Sequence, residues 1–246
     1  MTNNQSNGEK RTMRVAITVD VEHDCPPFLT TYRGITDGMP RLLGLLAEEG
    51  VRATFFTTGD VARKHPDVVQ RIVREGHELG CHGDTHQRFG ALDESGARGE
   101  IDRATETLRA FADVTSFRAP NLDFPARYLP LLRDAGYRLD SSEGRHKPGS
   151  FFKRPSLEGG LVRVPASTAP SVVRLPRFIR ERVLAAMSDP VVLFFHPWEF
   201  VDMTRTAIPL DCRFRTGQPA LDDLRAAVRF FRGRGAAFSP IGAFAA

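Results

Sequence analysis

Cysteine is scarce and scattered. Cys25, Cys81 and Cys212 are odd in number and far apart, and no CxxC pair exists. Neither a disulfide framework nor a cysteine zinc cage is therefore indicated. Long apolar runs are missing too, the longest clean one being Val191–Phe195, far too short to span a bilayer. The opening residues, MTNNQSNGEKRT, are polar and lack the apolar centre of a secretory signal, so residues 1–12 read as a disordered tail. Lysine is sparse beside arginine, and the arginines are spread out rather than gathered in a basic block. No nucleic-acid partner is expected from that pattern. These absences together predict a reduced, cytoplasmic, soluble protein.

What is present is ordinary in bulk. A chain of 246 residues, 41% hydrophobic and 26% charged, has room for one large domain or two small ones. No composition break divides it, so residues 13–246 are expected to form a single domain. A net charge of +4 and a pI of 9.2 are too mild to dictate a partner.

Short apolar strands alternate with helical patterns along the chain. Strands are expected at 15–19, 53–57, 77–81, 116–118, 137–140, 161–164, 191–195 and 236–238. Helices are expected from residue 39 to Gly50, over 59–76 with a break at Pro66, at 93–112 capped by Asp93, and at 126–135, 176–187 and 221–232. Residues 28–38, 144–160 and 199–218 read as loops. The rhythm predicts one α/β domain around a mostly parallel, curved or closed sheet. In such folds functional groups gather at the carboxyl ends of strands. Asp20 and Glu22, His82 and His86, Arg118, Asp140, and His196 all follow strands.

The chemistry concentrates at VAITVDVEHDCPP, residues 15–27. Asp20, Glu22, His23 and Asp24 crowd the end of an alternating strand that Pro26 and Pro27 forbid from continuing. Desolvating so many ionisable groups is costly unless a cation offsets it. A strand end solvated by its own polar turn is the alternative. His82 and His86 are four residues apart, a spacing that on one helical turn would let both imidazoles share a metal. Two imidazoles and a carboxylate suit a divalent ion such as Zn. His196 ends the VVLFF strand and is open to three roles: general acid, fourth ligand or structural histidine. Arg118, in FRAP, either holds a site carboxylate ionised or forms a surface ion pair.

The ordered set TVDVE, GHELGCHGDTH, FRAP, YRLDSS and VVLFFHPWE resembles the polysaccharide deacetylase family, the NodB-homology carbohydrate esterases. The resemblance covers most of the chain. It implies a distorted (β/α) barrel of about seven parallel strands and metal-dependent hydrolysis of an N-acyl group on an amino sugar. By that likeness Asp20 is the base acting on metal-activated water, His82 and His86 are metal ligands, Arg118 orients the base, and His196 is the general acid. Backbone N–H groups near Asn121 would face the oxyanion. Many relatives carry adjacent aspartates where this chain has Asp20-Val21-Glu22. In the acid-x-acid branch, which includes lipid-linked aminoarabinose deformylases, Glu22 takes the third ligand position; His23 and Asp24 are its rivals. Either Asp140 or Glu143 supports His196, with Asp140 preferred. Trp198 is expected beside the site, packing there and within reach of substrate. His77 and Cys81 are expected to pack beneath it, and His65 and His146 to face solvent.

The resemblance implies a divalent cofactor, Zn first, with Co, Ni or Mn as alternatives. The substrate it implies is an N-acetyl or N-formyl amino sugar, free or linked to a lipid such as a polyprenyl phosphate or to a nucleotide. Peripheral contact with the inner membrane face is a further expectation. Phe178, Ile179, Val183 and Met187 would lie on one helical side, with Arg174, Arg177, Arg180 and Arg182 around them. An outer helix packing inward is the alternative there. For the function, the alternatives are hydrolysis of a small ureide or cyclic amide, and an inactive sugar-binding barrel.

Overall fold

The alternation along β1 (Arg14–Val21) is the key to the architecture. Val15, Ile17, Val19 and Val21 belong to the largest apolar core, beneath the helices. Ala16, Thr18 and Asp20 point the other way, and all three are buried as well. A strand hidden on both faces is what a parallel sheet wrapped in helices demands. The small and polar positions of β1 therefore face a barrel interior rather than water.

The computed structural model describes residues 12–147, 151 and 153–245. The expected tail thus lies outside the described residues except for residue 12, as do 148–150 and 152 of the expected 144–160 loop. After β1 come β2 (Thr54–Thr57), β3 (Glu78–Cys81), β4 (Ser116–Phe117), β5 (Leu139–Asp140), β6 (Ser156–Glu158), β7 (Leu161–Arg163), β8 (Val191–Phe195) and β9 (Ala237–Phe238). The α-helices are α1 (Met39–Glu48), α2 (Gly59–Lys64), α3 (Pro66–Arg74), α4 (Glu94–Arg109), α5 (Leu129–Asp134), α6 (Pro170–Val173), α7 (Arg177–Ala185), α8 (Leu210–Arg213) and α9 (Gln218–Gly233). One sheet runs β6-β7-β5-β4-β3-β2-β1-β8, with β9 also paired to β1. Every pairing is parallel except β6 with β7. Between the β5–β7 side and β8, Ala166 pairs with Gly144, while Ser167 donates its N–H to Val192 O at 2.8 Å and its Oγ accepts the Val192 N–H at 2.9 Å. The result is a curled, distorted (β/α) barrel.

Several elements differ from expectation. Strand β6 falls in a stretch read as loop because its sequence, SLE, carries no apolar run. It forms a hairpin with β7 across Gly159 and Gly160, both at positive φ, the conformation that a two-residue hairpin turn requires. Residues 28–38 are not all loop either, since Gly34–Gly38 forms a π-helical turn. A Cβ at Gly34 would collide with Trp198 N, and one at Gly38 with Pro197 O, so these glycines let that turn press against the segment after His196. Helix α7 packs as an outer helix. Phe178 and Ile179 are exposed, but Arg180 turns inward to Asp223 at 2.5 Å and Arg174 is also buried. Two of the four arginines expected around an apolar stripe thus serve internal ion pairs. No helix among the described residues is long and apolar enough to cross a membrane.

Candidate metal centre and active site

Each group expected to act sits where a strand hands over to a loop. Glu22 directly follows β1, His82 directly follows β3, and both are buried. Glu22 Oε2 lies 3.1 Å from His82 Nε2 and 2.6 Å from His86 Nε2. One donor atom from each of the three falls within 4.8 Å of the others. The His82–His86 pair is not carried on a helical turn, as its spacing suggested. A non-helical turn delivers it, with Gly83 at φ +74 and His86 at φ +62. That turn is pinned from outside the barrel. Glu100, 1% exposed on α4, accepts the N–H groups of Asp84 at 3.0 Å and Thr85 at 2.9 Å. Asp84 in turn pairs with Arg63 at 2.7 Å and Arg103 at 3.0 Å.

The rival ligands point elsewhere. Asp24 is occupied by its own loop, accepting from Thr31 Oγ1 at 2.6 Å and from the N–H groups of Arg33 and Gly34 at 2.8 Å. His23 is half-buried and meets His86 edge to face, with ring centres 5.7 Å apart. Its pKa is lowered by burial first and by His86 next.

The donor set fits a divalent cation. His82 Nδ1 is 2.7 Å from Arg118 O, an atom that can only accept, so Nδ1 carries a hydrogen and Nε2 is the ring atom turned toward Glu22. A cation held there would take its lone pairs from the Nε2 atoms of the two imidazoles and from the Glu22 carboxylate. Burial alone would raise the Glu22 carboxyl. His86 and His82, with His196 beyond, outweigh burial and hold that carboxyl far below its usual range.

Beside the triad, Asp20 and Arg118 form a buried pair. Arg118 NH1 donates to Asp20 Oδ1 at 2.7 Å and to Thr18 Oγ1 at 2.8 Å. Its NH2 reaches Ser141 Oγ at 2.9 Å, and its guanidinium lies 4.3 Å above the Phe56 ring. Fully buried and bonded through Nε, NH1 and NH2, this guanidinium is held in one orientation.

His196 corrects the expectation about its support. Neither Asp140 nor Glu143 is its partner. Asp140 Oδ2 accepts from Arg163 Nε at 2.9 Å, and Asp140 Oδ1 binds Ser142. Glu143 pairs with Arg163 at 3.0 Å and Lys153 at 2.8 Å. The carboxylate on His196 is Glu199, whose Oε1 accepts both the Nδ1–H and the backbone N–H of His196 at 2.9 Å. Glu199 Oε2 stands 3.3 Å from the Nε of buried Arg174. The physical reason is proximity: His196 caps a tight turn begun by Pro197, and the turn's third residue, Glu199, folds back on that cap. A proline followed two residues later by Glu is a capping pattern, legible in HPWE. Burial would lower the His196 pKa, but Glu199 first and Glu22 next push it up from 6.5 to about 9.

These groups open into a cavity of about 280 Å³. Trp198 stacks on His196 with ring centres 5.0 Å apart, and its buried Nε1–H has no protein partner among the described residues. Asn121 also lines the cavity in a left-handed conformation (φ 59). Ala119 N–H is committed to Ser142 Oγ at 2.8 Å and Leu122 N–H to Ala119 O at 3.1 Å, which leaves that of Asn121 as the donor to test. His146, expected in solvent, instead lines the cavity and stacks on Phe194 at 5.8 Å. His65, also expected in solvent, is partly covered by Tyr32, with ring centres 5.1 Å apart.

A family model described as polysaccharide deacetylase matches residues 7–139, more than half of the chain. The chain belongs to the polysaccharide deacetylase family. Among curated family relatives, it is 28% identical over 142 residues to a chitooligosaccharide deacetylase of Rhizobium leguminosarum bv. trifolii, covering 55% of this chain and 62% of that protein. It is 37% identical over 73 residues to a peptidoglycan-N-acetylglucosamine deacetylase of Bacillus cereus, covering 30% and 26%. The chain thus spans less than two thirds of the length of these relatives. Among solved structures, a candidate polysaccharide deacetylase from Mycobacterium smegmatis superposes with a TM-score of 0.72 at 24% identity, over 95% of this chain and 89% of that one. That likeness establishes the polysaccharide-deacetylase barrel as the fold.

Proposed function

We propose that this chain is a metal-dependent hydrolase that removes a short N-acyl group, acetyl or formyl, from an amino sugar. The observation that carries the reading is the composition of one cavity. It holds the Glu22–His82–His86 triad together with an arginine-fixed carboxylate, Asp20, and a carboxylate-backed histidine, His196. A sugar-binding barrel without catalysis has no use for that whole set.

Glu22, His82 and His86 would hold the cation, with Zn the expected ion for two imidazoles and one carboxylate. When bound, it supplies Lewis-acid polarisation of water and of the acyl oxygen. The chain's own residues handle the protons. Water adds its oxygen to the acyl carbon and one of its protons passes to Asp20, which Arg118 holds in place. The C–N bond then breaks, and the departing nitrogen takes a proton from His196. Because Glu199 occupies Nδ1, the proton leaves from Nε2, which lies 3.8 Å from Glu22 Oε1. Trp198 Nε1–H and the Asn121 N–H are donors for substrate oxygen.

The test is hydrolysis of a panel of N-acetyl and N-formyl amino sugars, alongside ureides and cyclic amides. Activity lost on chelation and restored by zinc is the expected result. Full turnover by metal-free protein sinks the mechanism, and activity confined to ureides replaces the substrate.

A further inference from the structure

Two of the three cysteines line the same cavity without a part in the proposed reaction. Cys25 follows the acidic cluster and is 3% exposed, whereas Cys212 sits half-buried on α8. Both side chains belong to one apolar cluster with Trp198, Val201, Met203 and Ile208. Cys81 is fully buried at the end of β3, in a different apolar cluster.

The contact makes the thiols unequal. The neighbouring Cys212, then burial, pushes the Cys25 thiol up, while the neighbouring Cys25 pulls the Cys212 thiol down. Cys212 is the more accessible sulfur, and access selects it as the cysteine that a peroxide meets first. Cys25 is placed behind it as a resolving thiol.

We propose that Cys25 and Cys212 are a peroxide-responsive thiol pair in the wall of the site, and that their closure to a disulfide lowers turnover. The chemistry balances with one peroxide. Cys212 sulfur attacks a peroxide oxygen, becomes a sulfenic acid and releases one water. Cys25 sulfur then attacks the Cys212 sulfur, forming the S–S bond and releasing the second water. Two thiols are oxidised by two electrons, and the peroxide is reduced by two.

The geometry couples that bond to His196 from two sides. Arg174 donates to Cys212 O at 2.8 Å, Phe214 O at 2.7 Å and Asp211 O at 3.0 Å, so α8 hangs from the guanidinium that faces Glu199. Glu199 in turn holds His196. On the other side, Cys25 packs with Trp198, which stacks on His196. Drawing Cys212 toward Cys25 therefore shifts both supports of one side chain. Misplacement of a catalytic group by about 1 Å costs as much as ~100-fold in rate.

The loss of turnover rests on the deacylase reading, whereas formation of the bond does not. The test treats the reduced, zinc-loaded chain with equimolar hydrogen peroxide, then alkylates it under denaturing conditions and maps the peptides. A Cys25–Cys212 link with Cys81 still alkylated is expected. Fluorescence of the single tryptophan, Trp198, should change in step. Turnover should fall roughly tenfold or more and return with dithiothreitol. Cys212→Ser should keep the reduced protein's activity and lose the peroxide response. Three alkylated thiols after peroxide, or Cys212 oxidised to sulfinic acid with no link, overturns the pair. A link that leaves turnover unchanged overturns its control of the site. Linked protein that in its reduced state hydrolyses no N-acyl substrate upholds the pair and counts against the deacylase reading instead.

Discussion

Arg118 NH1 and Asp20 Oδ1 lie 2.7 Å apart at the centre of the barrel, joining two residues 98 positions apart in sequence. The arginine is fully buried and the aspartate 3% exposed. Such a pair is expensive to assemble and more damaging to break, since removing one partner strands a buried charge. Arg118→Ala is therefore expected to lower stability by ~3–5 kcal/mol, read as a shift in denaturation midpoint. Asp20→Asn keeps a hydrogen-bond acceptor for Arg118 and removes the proposed base; the guanidinium loses its counter-charge, so stability should fall, but less than for Arg118→Ala, and the folded protein should still bind zinc. Its kcat should fall ~100- to 10,000-fold. A fully active, metal-loaded Asp20→Asn protein refutes the assignment of the base.

Glu199 sets the pH behaviour of His196. Because the folded-state pKa of His196 is raised from 6.5 to about 9, its protonated form favours the folded chain. That contribution is whole below pH 6.5 and is lost as pH rises through about 9. Metal-free protein followed by NMR should show His196 titrating near 9, and Glu199→Gln should bring the midpoint down. The same variant should lose kcat far more than it changes KM, because the proton is needed only as the C–N bond breaks. An unmoved midpoint removes Glu199 from this role.

How much of this was legible in sequence follows from the range of each interaction. The strand β8 and the cap of α4 were readable because an apolar run and an Asp at the cap are local signals; Asp93 accepts Gly96 N–H at 2.7 Å. Asp20, Glu22, His82 and His86 were recognisable as a set because they end strands, and that much depends on pattern alone. Which carboxylate backs His196 was not readable, since Asp140 and Glu143 precede it by more than fifty positions and only the barrel decides where they point. Arg163 is what captures Asp140, and nothing in LVRV announces it. Glu100 was equally hidden, an acid on an amphipathic helix that turns inward to hold a loop.

Glu100 carries a prediction of its own. It touches none of the three ligand atoms, yet it fixes the backbone between His82 and His86. Thr85 Oγ1 also donates to it, at 2.7 Å. Groups that orient ligands typically contribute 10- to 100-fold in metal affinity. Glu100→Gln is expected to weaken zinc binding by about that factor, measured by chelator competition, with saturating zinc restoring most activity. Unaltered affinity would show that the turn holds its shape without this carboxylate.

Asp140 and Glu199 can be set against each other, because each is a candidate for the carboxylate behind His196. Burial outweighs Arg163 and Ser142 and lifts the Asp140 carboxyl above its ordinary value. Arg163 keeps two other partners, Glu143 at 3.0 Å and Glu158 at 2.9 Å, so Asp140→Asn does not strand its charge. The expected cost is ~1–3 kcal/mol of stability from the weakened buried bonds. Zinc-saturated kcat should change by less than about tenfold, against a loss of ~100-fold or more for Glu199→Gln. Both variants should be assayed on one substrate at pH 7 and pH 9, since only the loss of Glu199 moves the alkaline limb toward neutrality. Should Asp140→Asn shift that limb as far as Glu199→Gln does, the two carboxylates act on His196 through a shared network, and Glu199 loses its claim to be the partner that matters.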